Sequence, residues 1–433
     1  MRARTYNGAM NKQTKTVAIV GGGASGLTAA IAVSERAREL GCSVCVDVYE
    51  KDDRVGRSIL VTGNGRCNFS NARLLMGEYR NASFVAHAYA TLDDGPGDEG
   101  RAVTHFLESC GLAWREEADG RRYPLANKAS VVVDVLRAAA ARLGVRERCD
   151  AGVKAVERPR EVGKRFTLRM SDGVFERADV VIVACGGKAL ASLQVDSLRP
   201  MPLHPVLGPL RVADADIPFV RELDNIRVRG VAALWRNRGG QKELVASEQG
   251  EALFRKYGVS GICVFNLSRV AQVGDELVIS FLPSSDAEQA REFLEARRSA
   301  MCARFGYGLT CAELLRGLVL PRVADALLKR EGMDPERACD DEALEHLART
   351  LAGCRLTVAG IGDPDVCQVH RGGFDVGLFD PTSMEAHDIE GLFVTGEALD
   401  VDGPCGGYNL HWAWSSGLIA GRAAAERLCG AHA

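Results

Sequence analysis

Three side chains of this 433-residue chain have the chemistry to move protons or to react covalently: His370, His411 and Cys67. An imidazole exchanges protons near neutral pH and suits an acid or a base. A thiol attacks only as thiolate, and the sequence identifies no charged partner that would lower the pKa of Cys67. A lone histidine is also a common hydrogen-bonded structural residue, so both readings stand for each. A fourth feature binds rather than reacts: Gly21, Gly23 and Gly26 fall on the G-x-G-x-x-G spacing, with Ala24 and Ser25 inside it. One glycine serves the tight turn, one lets backbone approach a pyrophosphate, and one allows close helix packing.

The elements that must position this turn surround it in the right order. Val17 to Val20 is an unbroken apolar run, as expected for a strand buried on both faces of a parallel sheet. Leu27, Ala30, Ile31, Ser34, Ala37 and Leu40 recur at helical spacing, so the N-terminal amides of that helix face the pyrophosphate. Gly41 closes the helix, and Val44 to Tyr49 returns as a second strand ending in Glu50, followed by Lys51. An acid at that distance holds ribose hydroxyls. A lone glycine motif is weak, but strand, glycines, helix, strand and acid together predict a bound dinucleotide.

Composition bounds the rest. The length implies two or three domains. A formal net charge of -3 and a pI near 6.3 give no electrostatic reason to bind nucleic acid. The 14 cysteines are scattered, with no convincing zinc spacing, and Cys42 and Cys45 read as buried thiols. No metal site is expected. The first sixteen residues lack an apolar core and read as a disordered lead-in, and no stretch of about twenty apolar residues would span a bilayer. A reduced cytoplasmic setting follows.

After Glu50, residues 51 to 71 read as a long functional loop. In it Arg57 and Arg66 either neutralise cofactor phosphates or cap a surface loop, while Gly63 and Gly65 let backbone approach a ring. Its segment GRSILVTGNGRCNFSN resembles a signature of the BaiN-type flavoproteins, a family of FAD-dependent oxidoreductases that includes aminoacetone oxidases. Relatives usually carry lysine where this chain has Ser58, which leaves Arg57 as the cofactor contact there. Residues 84 to 118 look helical. An Arg-Tyr-Pro loop with Arg122 and Tyr123, which line a pocket or simply pack, precedes a helix starting near Ala129 or Ser130.

Short strands are expected at 151 to 157, 165 to 170 and 174 to 184, ending in Ala184 and a turn at Gly186 and Gly187 close to the cofactor. The next stretch, 188 to 210, is shorter than in relatives. Strand patterns then dominate to about 282, with ALFRKYGVSGICVFNLS read among the strands and Gly239 and Gly240 as a hairpin turn. Tyr257 and Gly258 either touch substrate or form a structural corner. Helical periodicity follows from 286 to 353, with starts at Asp286, Thr310 and Asp340 and a break at Pro321.

The closing stretch has a strand at Leu392 to Thr395, a glycine-rich loop, and a helix from about Asn409 to Leu428 with Asn409 as its N-cap. Ser415, Ser416, Gly417 and Gly421 allow close packing. Its segment GEALDVDGPCGGYNLHWAWSSG is similar to a second family signature over a long run. The resemblance implies that Gly396, Glu397, Asp402, Gly406, Gly407, Tyr408, Asn409 and Leu410 form the other half of an FAD site. His370 stands where relatives have threonine and His411 where they have glutamine.

The resemblance therefore implies an α/β protein. A Rossmann-like FAD domain takes 15 to 190 and 355 to 433, an inserted antiparallel β-barrel-like domain 191 to 285, and a small helical subdomain 286 to 354. The activity it implies is FAD-dependent oxidoreduction of a small organic molecule, with hydride moving at flavin N5. Sequence leaves open oxidation of an amine or ketone, and NAD(P)H-driven reduction of a double bond or ketone. No second glycine motif supplies a nicotinamide domain, so NAD(P)H would dock transiently. A non-catalytic flavin sensor is the alternative, and an RNA-modifying flavoenzyme a third. Oligomeric state is not legible.

Overall fold

The computed structural model describes residues 14–92, 100–161, 164–283 and 286–430. Most of the expected lead-in, residues 1–13, lies outside the described residues. The chain divides into two units, one formed by residues 1–204 and 369–433 and the other by 205–368.

The first unit is built on a five-stranded parallel sheet in the order Leu392–Val394, Val180–Val183, Lys15–Val20, Val44–Tyr49, Arg146–Arg148. Val17 to Val20, Val180 to Val183 and Leu392 to Val394 are buried throughout, which is why these runs do not alternate with polar residues. The chain leaves Lys15–Val20 in one direction through Ala24–Glu39 to Val44–Tyr49. The strand on its other side, Val180–Val183, is reached much later. This is the topological switch point at which open α/β sheets bind ligands, just beyond the strand C-termini. Gly21 and Ala184 sit there.

Small residues bring the two ends of the chain together on this sheet. The closing helix Tyr408–Gly430 lies along the opening helix Ala24–Glu39, and Gly417 and Gly421 meet Ser25, Thr28, Ala29 and Ala32 so closely that a side chain at either glycine would strike opening-helix backbone. Cys42 and Cys429 join as a disulfide, with Cα atoms 5.9 Å apart. This corrects the expectation of buried thiols at Cys42 and Cys45, both of which are half-buried. The signal was absent from local spacing because the partner lies 387 residues away.

The unit also contains a four-stranded sheet of Gln194–Val195, Val153–Glu157, Phe166–Met170 and Phe175–Ala178, and a three-stranded one of Ser70–Asn71, Arg121–Pro124 and Trp114–Glu116. Within the stretch expected to be helical, Ala82–Tyr89 and Arg101–Ser109 are helices, whereas Trp114–Glu116 pairs as a strand.

The second unit contains a closed barrel in the order Leu210–Val212, Gly258–Ser260, Gln241–Arg255, Arg227–Arg238, Glu276–Ile279, Cys354–Ile361. Gly239 and Gly240, both at positive φ, make its hairpin turn. Ile262–Ser268, read among the strands, is a helix. Asp286, Thr310 and Asp340 each cap a helix start with their side chains, and Pro321 opens a helix at its first turn, where its missing N–H costs nothing.

The unit boundaries at 204/205 and 368/369 differ from the three-part division expected, for two physical reasons. Leu294, Leu327 and Leu347 of the helices share one core with Leu277 and Leu356 of the barrel. The strand Cys354–Ile361, assigned in sequence to the cofactor domain, closes the barrel by pairing with Leu210–Val212 and Glu276–Ile279. Among the described residues no helix is long and apolar enough to cross a membrane.

Candidate active site

The glycine turn is shaped as a cradle. Gly21 has φ 107° and its N–H donates to the Tyr49 carbonyl at 2.8 Å, while a Cβ there would come within 2.6 Å of the Ala184 carbonyl oxygen. A Cβ on Gly26 would collide with the Gly21 carbonyl oxygen. Side chains are therefore excluded on both sides of the turn. Gly23 caps the opening helix without a side-chain hydrogen bond, and no acidic residue occupies the first turn. Those first-turn amides and the helix dipole are unspent, which is the arrangement that takes a phosphate. Glu50 is anchored beside them: one carboxylate oxygen accepts from Gly22 N–H at 2.8 Å and the other from Asp52 N–H at 3.0 Å.

The closing segment meets this cradle. Gly396, at φ 62°, lies against Ser25, its N–H donates to Ser416 Oγ at 2.9 Å, and its carbonyl accepts from Trp412 Nε1 at 3.0 Å. Glu397 reaches His370: the same carboxylate oxygen accepts the His370 backbone N–H at 2.8 Å and lies 3.2 Å from His370 Nδ1. Gly187 forms the adjacent wall, where a Cβ would stand 2.6 Å from that oxygen.

The loop between Glu397 and the closing helix is stitched at three levels by groups that sequence reasoning largely missed. Asp402 is fully buried and takes two hydrogen bonds from Arg371, each 2.9 Å. Asp400, 2 % exposed, accepts from Arg80 Nε at 2.7 and 2.8 Å and from Gly372 N–H at 2.9 Å. The stitching is reciprocal, since Arg80 N–H donates to the Asp402 carbonyl at 2.8 Å. Asp400 lies within the second signature segment, but nothing local pairs Arg80 with it across 320 residues of sequence.

Asn409 is not the N-cap expected. The helix already includes Tyr408, and the Asn409 amide instead pins the preceding loop by accepting from Gly403 N–H and donating to its carbonyl, both 2.8 Å. Asn71 Nδ2 donates to the Gly406 carbonyl at 2.9 Å, and Tyr408 OH donates to the Arg73 carbonyl at 3.1 Å. Gly407, at φ 102°, passes against the backbone of Ser70. Leu410 is half-buried.

Two of the three reactive candidates are corrected by burial. His411 is 1 % exposed, its Nδ1 lies 3.0 Å from Ser70 Oγ, and Tyr89 packs edge-on to its ring. Loss of hydration, reinforced by Arg122, pushes its pKa down to about 3, which disfavours the charged ring. Cys67 is fully buried, and burial pushes its thiol up to about 12, which withholds the thiolate.

The basic contacts also shift. Arg57 is exposed and pairs with Asp52 and Asp53 at 3.7 and 3.5 Å. Arg66 lies over the Tyr123 ring at 4.4 Å and pairs with Glu117 at 3.5 Å. Lys51 is exposed. Gly63 and Gly65, both at positive φ, flank Asn64 in a tight turn, and Gly186 opens a helix of five residues. The structure thus joins Gly21, Gly23, Ala24, Ser25, Gly26, Glu50 and Ala184 with Gly396, and Gly187 with His370 and Glu397.

A parallel sheet with a glycine cradle at its switch point and an uncapped helix end facing it defines a Rossmann-type nucleotide-binding protein. The residues fit the pyrophosphate and ribose of FAD: the cradle excludes side chains, the helix amides are free and Glu50 is fixed beside them. A model described as HI0933-like protein Rossmann domain matches residues 15–423, and the chain belongs to that family. It is 33% identical to a 3-dehydro-bile acid delta(4,6)-reductase of Clostridium scindens, over 95% of this chain and 99% of that one. It is 27% identical to a ribosomal RNA dihydrouridine synthase of Escherichia coli, over 92% of this chain and 95% of that one. Among solved structures, a 3-ketosteroid-delta4-(5alpha)-dehydrogenase from Rhodococcus jostii RHA1 aligns at 16% identity with a TM-score of 0.41, covering 98% of this chain and 100% of that one. The BaiN-type resemblance read from the two signatures is borne out, and the protein is a FAD-dependent oxidoreductase.

Proposed function

We propose that this enzyme reduces a carbon–carbon double bond conjugated to a carbonyl in a small organic substrate. The observation that carries this reading is the end-to-end match to the bile-acid reductase, with the cofactor cradle and closing loop built as described. The names of both kinds of relative denote saturation of such a bond, in a dienone or in a uracil ring. A small molecule is favoured over RNA by the higher identity to the bile-acid reductase and by the net charge of -3.

Gly21, Gly23, Ala24, Ser25 and Gly26 would hold the pyrophosphate on backbone amides, Glu50 the ribose, and the loop from Gly396 to Leu410 the flavin. When bound, the flavin supplies two-electron hydride chemistry. The protein's own part is to fix that ring. The Asp400, Asp402, Arg80 and Arg371 network holds the closing loop, and the first turn of Tyr408–Gly430 directs a positive dipole end towards charge developing nearby. A nicotinamide would serve as transient electron donor.

The test uses purified protein with bound FAD quantified by absorbance. Anaerobic bleaching by NADPH or NADH, followed by reoxidation with a 3-oxo-4,6-diene bile acid, is the expected result. Reoxidation instead by uridine-containing ribosomal RNA would move the substrate to RNA. Bleaching only by amines would make the enzyme an oxidase, and colourless protein that takes up no added FAD would overturn the reading.

A further inference from the structure

The geometry points to His370, held by Glu397, as the acid that delivers the proton when a conjugated carbonyl is reduced. This rests on the reading above and names the residue that completes it.

Three observations carry it. Glu397 engages His370 twice through one oxygen, at the backbone N–H and at Nδ1, so backbone and ring are both located by a single carboxylate. That leaves Nε2 as the ring nitrogen available for exchange, and it has no hydrogen-bond partner among the described residues. The side chain is 21% exposed, in contrast to buried His411, so a substrate atom can reach it. A carboxylate that fixes one imidazole nitrogen while the other faces a reactant is the arrangement that makes an efficient proton donor. Placement agrees. Gly187 borders the dyad, and Gly396, next to Glu397, touches Ser25 of the cradle.

The step balances as follows. When bound and reduced by a nicotinamide, the flavin would supply the hydride for a new C–H bond at the alkene carbon remote from the carbonyl. The π pair of the C=C moves towards the carbonyl to give an enolate. The enolate takes the proton from Nε2 of the His370 imidazolium, whose Nδ1–H stays on Glu397, and the neutral ring then regains a proton from solvent; the substrate has gained one hydride and one proton. Glu397 is a positioning residue in this scheme, because it acts through the ring.

The experiment uses FAD-loaded full-length protein, photoreduced anaerobically, with all rates expressed per bound FAD. Reoxidation by a 3-oxo-4,6-diene bile acid is compared with reoxidation by ferricyanide, which needs no proton delivered to a substrate. In His370→Gln the ratio of the two rates is expected to fall by about 10²-fold or more, with partial rescue by added imidazole. In Glu397→Gln a smaller fall of about tenfold is expected, expressed in the maximal rate rather than in the KM for the dienone. A second readout needs no turnover. 4-Chlorophenol, an enol mimic, should perturb the oxidised flavin spectrum on binding, and its affinity should drop about tenfold in His370→Gln. An unchanged ratio in His370→Gln overturns the dyad while leaving the flavoenzyme reading intact. Unchanged phenol affinity overturns it as well, and a colourless parent protein overturns both proposals together.

Discussion

Replacing Asp402 by Asn should destabilise the cofactor-binding unit more than almost any other isosteric change. Asp402 is fully buried, and its two 2.9 Å hydrogen bonds go to Arg371, whose side chain is 23% exposed. Breaking a buried pair by removing one partner costs about 3–5 kcal/mol, because the remaining charge stays desolvated. Arg371 retains some contact with water, which lowers the expected loss to about 2–4 kcal/mol. With about 2–4 °C per kcal/mol for a unit of this size, the melting temperature should fall by about 4–16 °C. Thermal unfolding followed by circular dichroism, with flavin fluorescence recording cofactor release, measures both effects. Removing the partner as well, in Asp402→Asn with Arg371→Met, should recover part of the loss, since no guanidinium then faces the neutral amide. A fall of less than 2 °C in the single variant, or a double variant no more stable than the single one, would refute the argument that loss of the Asp402 charge facing Arg371 is the source of the cost.

Other outcomes follow from individual contacts. Because His411 is held neutral with its pKa lowered to about 3, the unfolded chain binds the extra proton between about pH 6.5 and 3, so stability falls as pH drops through that window. His411→Gln should flatten this dependence by up to about 1.4 kcal/mol per pH unit relative to the parent in acid-unfolding titrations, and parallel curves would show that His411 is not the group responsible. Gly26→Ala places a methyl against the Gly21 carbonyl and should abolish FAD retention; full flavin occupancy after purification would contradict the cradle. Alkylation of the denatured, unreduced protein should modify twelve of the 14 cysteines and spare Cys42 and Cys429, and modification of all 14 would rule out the disulfide.

The opening strand, turn and helix were legible because their signals are local. Apolar runs, glycine spacing and helical periodicity lie within thirty-five residues, and the structure places Lys15–Val20, Ala24–Glu39 and Val44–Tyr49 where the sequence pattern does. The three side-chain caps at Asp286, Thr310 and Asp340 are local for the same reason. What escaped depends on distance. Asp400 meets Arg80, Cys42 meets Cys429, and Cys354–Ile361 joins the barrel only through partners far along the chain. Reactivity was the least legible. His370 and His411 looked alike as residues, but burial beneath Tyr89 and beside Ser70 separates one from the other.

The pairing of Leu392–Val394 with Val181–Val183 sets a timetable for biosynthesis. Strand Lys15–Val20 emerges from the ribosome some 370 residues before the strand that completes its sheet, an interval of about 20–75 s at ordinary elongation rates. Once made, the Val180–Val183 strand waits about 210 residues for its outer neighbour, about 10–40 s, while the opening helix lacks the partner that covers Ser25 and Ala29. A nascent chain in this condition exposes an apolar sheet edge and calls for a chaperone. The glycine cradle meets Gly396 at Ser25 only after that late segment has joined the sheet.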